Sequence, residues 1–288
     1  MRKLNFELKQ LCDKHPEGAY STRRDRGYAL SLIADQLNEA GFKNLRVDGL
    51  RGRHVKALVT RWNEEKLSAG TIKNRMSAFR WWAAKIGKIG IVESENAKYG
   101  VPSRVYVTNE SKAKALTSGD LNRVLDTHVR LSLELQREFG LRREEAIKFV
   151  PAYADQGDRI RLKPSWTKGG RGREIPITRA SQRELLNRLH DKIGSKPLIP
   201  HDRNYVGQLR VYERETALAG LSKMHGLRHE YAQHRYEELT GWKAPAAGGP
   251  PSRTLGSGQK AMDREARLTI SRELGHGREA VTAVYLGR

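Results

Sequence analysis

Met224-His225-Gly226-Leu227-Arg228-His229-Glu230-Tyr231-Ala232 sets a histidine and an arginine three residues apart at the start of a helical stretch. Residues at that spacing share a helix face, so both can meet one small anion. A guanidinium matches phosphate oxygens with two parallel hydrogen bonds, and an imidazole takes or gives a proton near neutral pH. Read alone, His-x-x-Arg is more often a satisfied surface pair. Its company changes that reading. Upstream stand Gly140-Leu141-Arg142-Arg143-Glu144-Glu145 and Thr167-Lys168-Gly169-Gly170; downstream, Leu274-Gly275-His276 precedes Tyr285. Two arginines, a lysine and two histidines can surround a phosphate while a tyrosine hydroxyl attacks it. Such a set needs no metal.

The 288 residues suffice for two domains, each with its own core. The formal net charge is +21, from 54 Lys and Arg against 33 Asp and Glu. That excess points to a polyanionic partner, because neutralising phosphates releases counterions. The competing reading is a basic but solvated surface. Membrane binding is disfavoured, since the basic residues are spread along the chain rather than gathered on one amphipathic helix. Cys12 is the single cysteine, which excludes an intrachain disulfide and weighs against a cysteine-ligated zinc site. The opening Met1-Arg2-Lys3-Leu4-Asn5-Phe6-Glu7 has no apolar run of signal-peptide length. A cytoplasmic protein is expected, with no cofactor and no metal.

Hydrophobic periodicity predicts helices through Leu30, Ile33, Ala34 and Leu37, then through Val55, Leu58, Val59 and Trp62. A third starts near Ser68 with Ile72, Met76, Phe79 and Ala83 inward and Lys73, Arg75 and Arg80 elsewhere on its circumference. Trp81 and Trp82 cannot both face the core. Thr117 to Asp120 offers capping groups for a helix carrying Leu121, Val124, Leu125 and His128. Another runs from Val129 to Phe139 and stops at Gly140. The period then changes: 158–163 and 173–177 alternate charged and apolar residues around a glycine-rich turn, predicting a two-stranded hairpin with Lys168 on its loop and Arg171 and Arg173 flanking it. Helices resume at 183–189, 225–239, 264–273 and 279–286. Lys243 to Lys260 is rich in Gly, Pro, Ser and Ala and reads as a flexible excursion. The expected architecture is mainly α with a small antiparallel sheet, an α+β fold. Residues 1–100 form a helical DNA-binding domain, 101–115 a linker, and 116–288 a second domain with an insertion near 243–260.

Arg142 and Glu145 share a helix face, so Glu145 can pair with and orient the arginine. A long ammonium such as Lys168 on a Gly-rich hairpin suits delivery of a proton to a leaving oxygen, although most lysines so placed are merely exposed. Each element is weak by itself. Together, Gly-Leu-Arg-x-x-Glu, the hairpin Lys, His-x-Leu-Arg-His, Leu-Gly-His and a Tyr nine residues later resemble the tyrosine recombinases of the phage-integrase type, in the order that family shows. The likeness covers Leu116 to Tyr285 strongly. Over the N-terminal helices it is looser, resting on Ser68-Ala69-Gly70-Thr71-Ile72-Lys73-Asn74-Arg75, which is similar to the family's SAM-like core-binding domain.

The resemblance implies roles. Tyr285 would be the nucleophile that becomes a 3′-phosphotyrosine. Arg142 and Arg228 would stabilise the non-bridging oxygens, Lys168 would protonate the departing 5′ oxygen, His225 would move the tyrosine proton, and His276 would hydrogen-bond the phosphate. Glu145 would support the site, and Lys73, Arg75, Arg80, Arg171 and Arg173 would meet DNA. The expected activity is site-specific strand transfer that integrates or excises a mobile element, independent of metal and ATP, in a bacterial or phage-encoded, nucleoid-associated protein. A type IB topoisomerase and a silent DNA-binding regulator of the same fold are the rivals. Double-stranded DNA is the expected partner, with DNA-bending accessory proteins beside it. Only Leu286-Gly287-Arg288 follow Tyr285, too little for a helix exchanged between protomers, so a monomer in solution and a homotetramer on DNA are expected.

Overall fold

Leu30, Ile33, Ala34 and Leu37 are all buried on α2 (Tyr20–Glu39), which packs along α1 (Lys3–Lys14). The computed structural model describes residues 2–288, in two compact units that divide between residues 105 and 106. The first unit adds α3 (Gly52–Glu64) and α4 (Ala69–Lys85), where the Ser68 hydroxyl caps the helix by accepting from the Thr71 amide at 3.2 Å. Trp62 and Trp82 are sealed with Phe79 between them, and each indole has a partner, Gln36 Oε1 and the Val47 carbonyl, both at 2.8 Å. Burying so much ring surface holds the helices together only because neither N–H is stranded. Trp81 stays at the edge, under Arg26 and donating to Glu17.

The second unit contains α5 (Ser118–Asn122), α6 (Thr127–Phe139), α7 (Arg143–Ile147) and α8 (Pro151–Ala154), then β1 (Arg159–Leu162) and β2 (Arg173–Pro176). It continues with α9 (Ala180–Ile193), α10 (Tyr205–Leu218), α11 (Gly226–Thr240), α12 (Ser257–Glu273) and α13 (Glu279–Leu286). The strands pair antiparallel, with Ile160 opposite Ile175 and Leu162 opposite Arg173. The expected fold, mainly helical with one small antiparallel sheet, is what forms. Helix α6 is its axis: Leu131, Leu135 and Phe139 enter one core with Ile160, Ile175 and Tyr231, while Val129 and Leu133 enter another with Tyr212 and Leu227. No helix among the described residues is long and apolar enough to cross a membrane.

Three local expectations change. The helix expected from Leu121 through His128 is broken, because Asp126 accepts from the Val129 amide at 3.0 Å and starts α6 afresh, leaving Leu125 79% exposed. The Gly/Pro-rich stretch is packed rather than loose: Ala244, Pro245, Ala246 and Leu255 are buried, and α12 begins at Ser257 instead of Arg264. Small side chains let this stretch lie against the end of α13, where a Cβ on Gly287 would stand 2.8 Å from the Ala246 nitrogen. Helix α10 is an addition to the elements that periodicity predicts.

Gly140 ends α6 at φ +60°, and a Cβ there would meet the Tyr231 ring at 2.5 Å. Gly140→Ala combines left-handed strain with overpacking and should cost about 2–4 kcal/mol in urea unfolding. An unchanged midpoint would show that the turn tolerates a side chain.

Candidate active site

The turn at Gly140 delivers Arg142 to the first position before α7. Glu145, on the first turn of that helix and wholly buried, accepts from the Arg142 amide and from its guanidinium, each at 2.7 Å. The other side of the carboxylate is taken by Arg173 in a bidentate pair at 2.9 and 2.7 Å, and Arg173 Nε donates to the Glu273 carbonyl at the end of α12. This corrects the expectation that Arg173 flanks Lys168 as an outward cation, since its side chain is 6% exposed. The alternation of β2 puts Arg173 on the inward face with Ile175. Gly275, at φ +65°, clears its path: a Cβ there would lie 2.9 Å from Arg173 Cδ.

From α11 the Arg228 guanidinium enters the same interior, 1% exposed, donating to the Gly140 and Leu274 carbonyls and to His276 Nε2 at 3.2 Å. Because an arginine can only donate, His276 Nε2 is the acceptor here, and its Nδ1–H faces Thr282 Oγ1 at 3.2 Å. The Tyr285 hydroxyl lies 3.2 Å from His225 Nε2 and 3.3 Å from Arg228 Nε. It can accept from the guanidinium while donating to a neutral imidazole. The ring of His276 stacks on that of Tyr285 with centroids 5.3 Å apart, and the His229 ring lies 4.5 Å from the same tyrosine ring.

Charge is unbalanced here. Burial works against the Glu145 anion, but the hydrogen bond from Arg173 and the charges of Arg173, Arg142 and Arg228 prevail and bring its carboxyl down to about 2. Burial pushes Arg228 down to about 10, leaving it cationic at neutral pH. Burial, then Arg228 and Arg142, lower His225, and the same causes hold His276 near 3. Three guanidiniums therefore face one carboxylate, with two neutral imidazoles beside them. The surplus positive charge is a seat for an anion.

The structure thus brings together Arg142, Glu145, His225, Arg228, His276 and Tyr285, and adds Arg173. It does not bring in Lys168, which is exposed at the tip of the loop between β1 and β2. Arg171 lies on the same exposed loop with its guanidinium 3.1 Å from where a Cβ on Gly277 would sit. In the first unit Lys73 is exposed. Arg75 and Arg80 depart from the expected outward role: Arg75 lies 5.1 Å over the Trp62 ring, and Arg80 holds the Glu93 carbonyl and Asn96. The neighbouring tyrosines are committed elsewhere, Tyr231 to Glu273 and Tyr236 to Asp263. Among the described residues no group of three or more His, Cys, Asp or Glu could hold a metal ion.

Comparison with known proteins follows the same division. A family model described as "Phage integrase, N-terminal" matches residues 1–92, and one described as "Integrase" matches residues 103–234. A lambda integrase dimer bound to a core site has a similar structure, with TM-score 0.61 and 16% identity over 96% of this chain and 76% of that one. The XerH site-specific recombinase bound to its difH substrate is similar at TM-score 0.56 and 17% identity, covering 98% and 80%. The Tn1549 transposon integrase in complex with circular intermediate DNA gives TM-score 0.55 and 12% identity, covering 100% and 96%. At these identities the likeness is one of fold. Curated protein sequences show no match.

Glu145 and His276, both lowered, act on stability in the same direction. Glu145 stabilises the fold above its ordinary value of 4.5 and loses that contribution as pH falls toward about 2. His276 is neutral when folded, so its contribution is lost from 6.5 downward toward about 3. Unfolding free energy should fall steadily between pH 7 and pH 4, and less steeply in His276→Asn. Identical slopes would remove His276 from the account.

Proposed function

Since the chain belongs to the phage integrase family of tyrosine recombinases, we propose that Tyr285 is its nucleophile and that residues 142–285 carry out strand cleavage and rejoining on duplex DNA. The protein is a site-specific recombinase, and its reaction can be written on its own atoms. Tyr285 Oη attacks the scissile phosphorus and passes its proton to His225. The bond from phosphorus to the 5′ oxygen breaks, leaving a 3′-phosphotyrosyl strand. The departing oxygen takes a proton from Lys168, whose exposed glycine-rich loop can follow the DNA. Arg142 and Arg228 meet the non-bridging oxygens, with Arg142 steered by Glu145 and Arg173. His276 Nε2 accepts from Arg228, so its contact with phosphate requires a proton on that nitrogen once the anion has arrived. The covalent link keeps the phosphodiester energy, and attack by a 5′ hydroxyl reverses the step.

One observation carries this reading: a tyrosine hydroxyl shared between a neutral imidazole and a buried guanidinium, inside a pocket with more cations than anions. Recombining two duplexes needs a nucleophile for each of four strands, hence four copies on DNA. Lys73, Lys168 and Arg171 are proposed to approach the DNA backbone, integration or excision of a mobile element to be the outcome, and the cytoplasm to be the setting.

A suicide substrate carrying the attachment site tests the nucleophile: Tyr285→Phe should bind it as the wild type does and form no covalent adduct. An adduct at wild-type level would reassign the role. Relaxation of supercoiled DNA with no joining of two sites would instead favour topoisomerase activity.

Lys168→Ala should slow cleavage roughly a hundredfold or more, yet cleave a substrate with a 5′-bridging sulfur at nearly the wild-type rate, because that group leaves without protonation. Equal losses on both substrates would make Lys168 a binding residue.

A further inference from the structure

Tyr285 is held at more than its hydroxyl. It lies in the last turn of α13, which stops at Leu286, so its carbonyl finds no partner within the helix. Gln233, two turns along α11 from His225, supplies one: its Nε2 donates to the Tyr285 carbonyl at 3.0 Å. Gln233 is set in turn by Ser111, whose hydroxyl donates to Gln233 Oε1 at 3.0 Å. Two residues earlier, the Asn109 side chain takes both main-chain groups of Arg288, donating to its carbonyl and accepting from its amide, each at 2.9 Å. The same segment continues across the start of α11, where the Lys114 amide donates to the Gly226 carbonyl at 3.1 Å. Gly226 leaves no space between them, since a Cβ there would stand 2.8 Å from Lys114 Cβ and 2.9 Å from the Lys112 carbonyl.

Residues 109–114 therefore tie down the chain beyond the nucleophile, the carbonyl of the nucleophile, and the turn between His225 and Arg228. None of Asn109, Ser111 and Gln233 bonds to Arg142, Arg228 or His276, the groups that would hold phosphate. We propose that Asn109 and the Ser111–Gln233 pair are positioning residues for Tyr285, fixing the height of its hydroxyl over the phosphorus without taking part in phosphate activation. This rests on the strand-transfer reading above. An error of about 1 Å in a reacting atom costs on the order of a hundredfold in rate, enough for these hydrogen bonds remote from the phosphate to matter.

The test separates attack by tyrosine from activation of phosphate. Wild type, Asn109→Ala, Gln233→Ala and Ser111→Ala are assayed for single-turnover cleavage of the suicide substrate. Each is also combined with Tyr285→Phe, so that no tyrosine hydroxyl can attack, and assayed for joining of a strand ending in 3′-p-nitrophenyl phosphate, in which the 5′ hydroxyl of the acceptor strand attacks phosphorus and p-nitrophenolate leaves. The second reaction uses the phosphate pocket and not Tyr285. Cleavage should fall roughly 10- to 100-fold in Asn109→Ala and Gln233→Ala and less in Ser111→Ala, with joining unchanged. Parallel loss of both reactions would mean that the segment only supports folding, and unchanged cleavage would mean that the contacts are idle. Either result overturns the proposal. Absence of cleavage in the wild type and of joining in Tyr285→Phe alone would overturn the strand-transfer reading itself.

Discussion

Glu145 is a carboxylate sealed away from water with Arg142 on one side and Arg173 on the other. Burying such a group is costly unless its oxygens are fully used, and here they accept from two guanidiniums and a main-chain amide. The contact joins α7, β2 and, through the Glu273 carbonyl, the end of α12. It sets the entrance to α7, the face that β2 turns inward, and the place where Leu274-Gly275-His276 leaves α12. One carboxylate does not balance Arg142, Arg173 and Arg228, however. The remaining charge is kept in place by main-chain carbonyls, as at Gly140 and Leu274, which orient a guanidinium without neutralising it. On the proposed mechanism, a phosphate arriving there would meet donors already arranged, so little reorganisation would accompany the reaction.

Much of this is legible in the residue order. The helical stripes ending in Leu37, Trp62 and Ala83 are buried as their spacing implies, since apolar residues recurring every 3.6 positions line one side of a helix and must be covered there. Arg142, His225, Arg228, His276 and Tyr285 meet although they are spread over half the sequence; their order against a known family makes that readable where spacing alone does not. Other features escape for identifiable reasons. Arg173 reads as a surface cation when its charge is weighed above the strand alternation that sets it beside Ile175. Helix α10 mixes polar and apolar residues and buries only part of its length. Asn109, Ser111 and Gln233 make local polar contacts, which no hydrophobic period reports.

Lys168 is the opposite case. Its type and setting are clear from the flanking glycines, yet it stands apart from the groups it is proposed to serve. Folding alone assembles the anion seat and aims the tyrosine, because those side chains come from helix ends and an inward strand. A proton donor on a loop has no such support. On the proposed mechanism, attack would rest on side chains held at helix ends and departure on a side chain carried by an exposed loop.

The close passage of Arg173 beneath Gly275 also constrains how this chain can diverge over generations. A side chain at position 275 would occupy the space of the Arg173 stem, 2.9 Å away. Losing Arg173 would remove two of the four hydrogen bonds that Glu145 accepts, and altering Glu145 would release Arg142. Three stretches, the last about a hundred residues beyond the second, are therefore inherited as one block, in which single changes are penalised and compensation needs simultaneous partners. The loop around Lys168 takes no part in those contacts. A change at any one of positions 142, 145, 173 and 275 therefore bears on the other three.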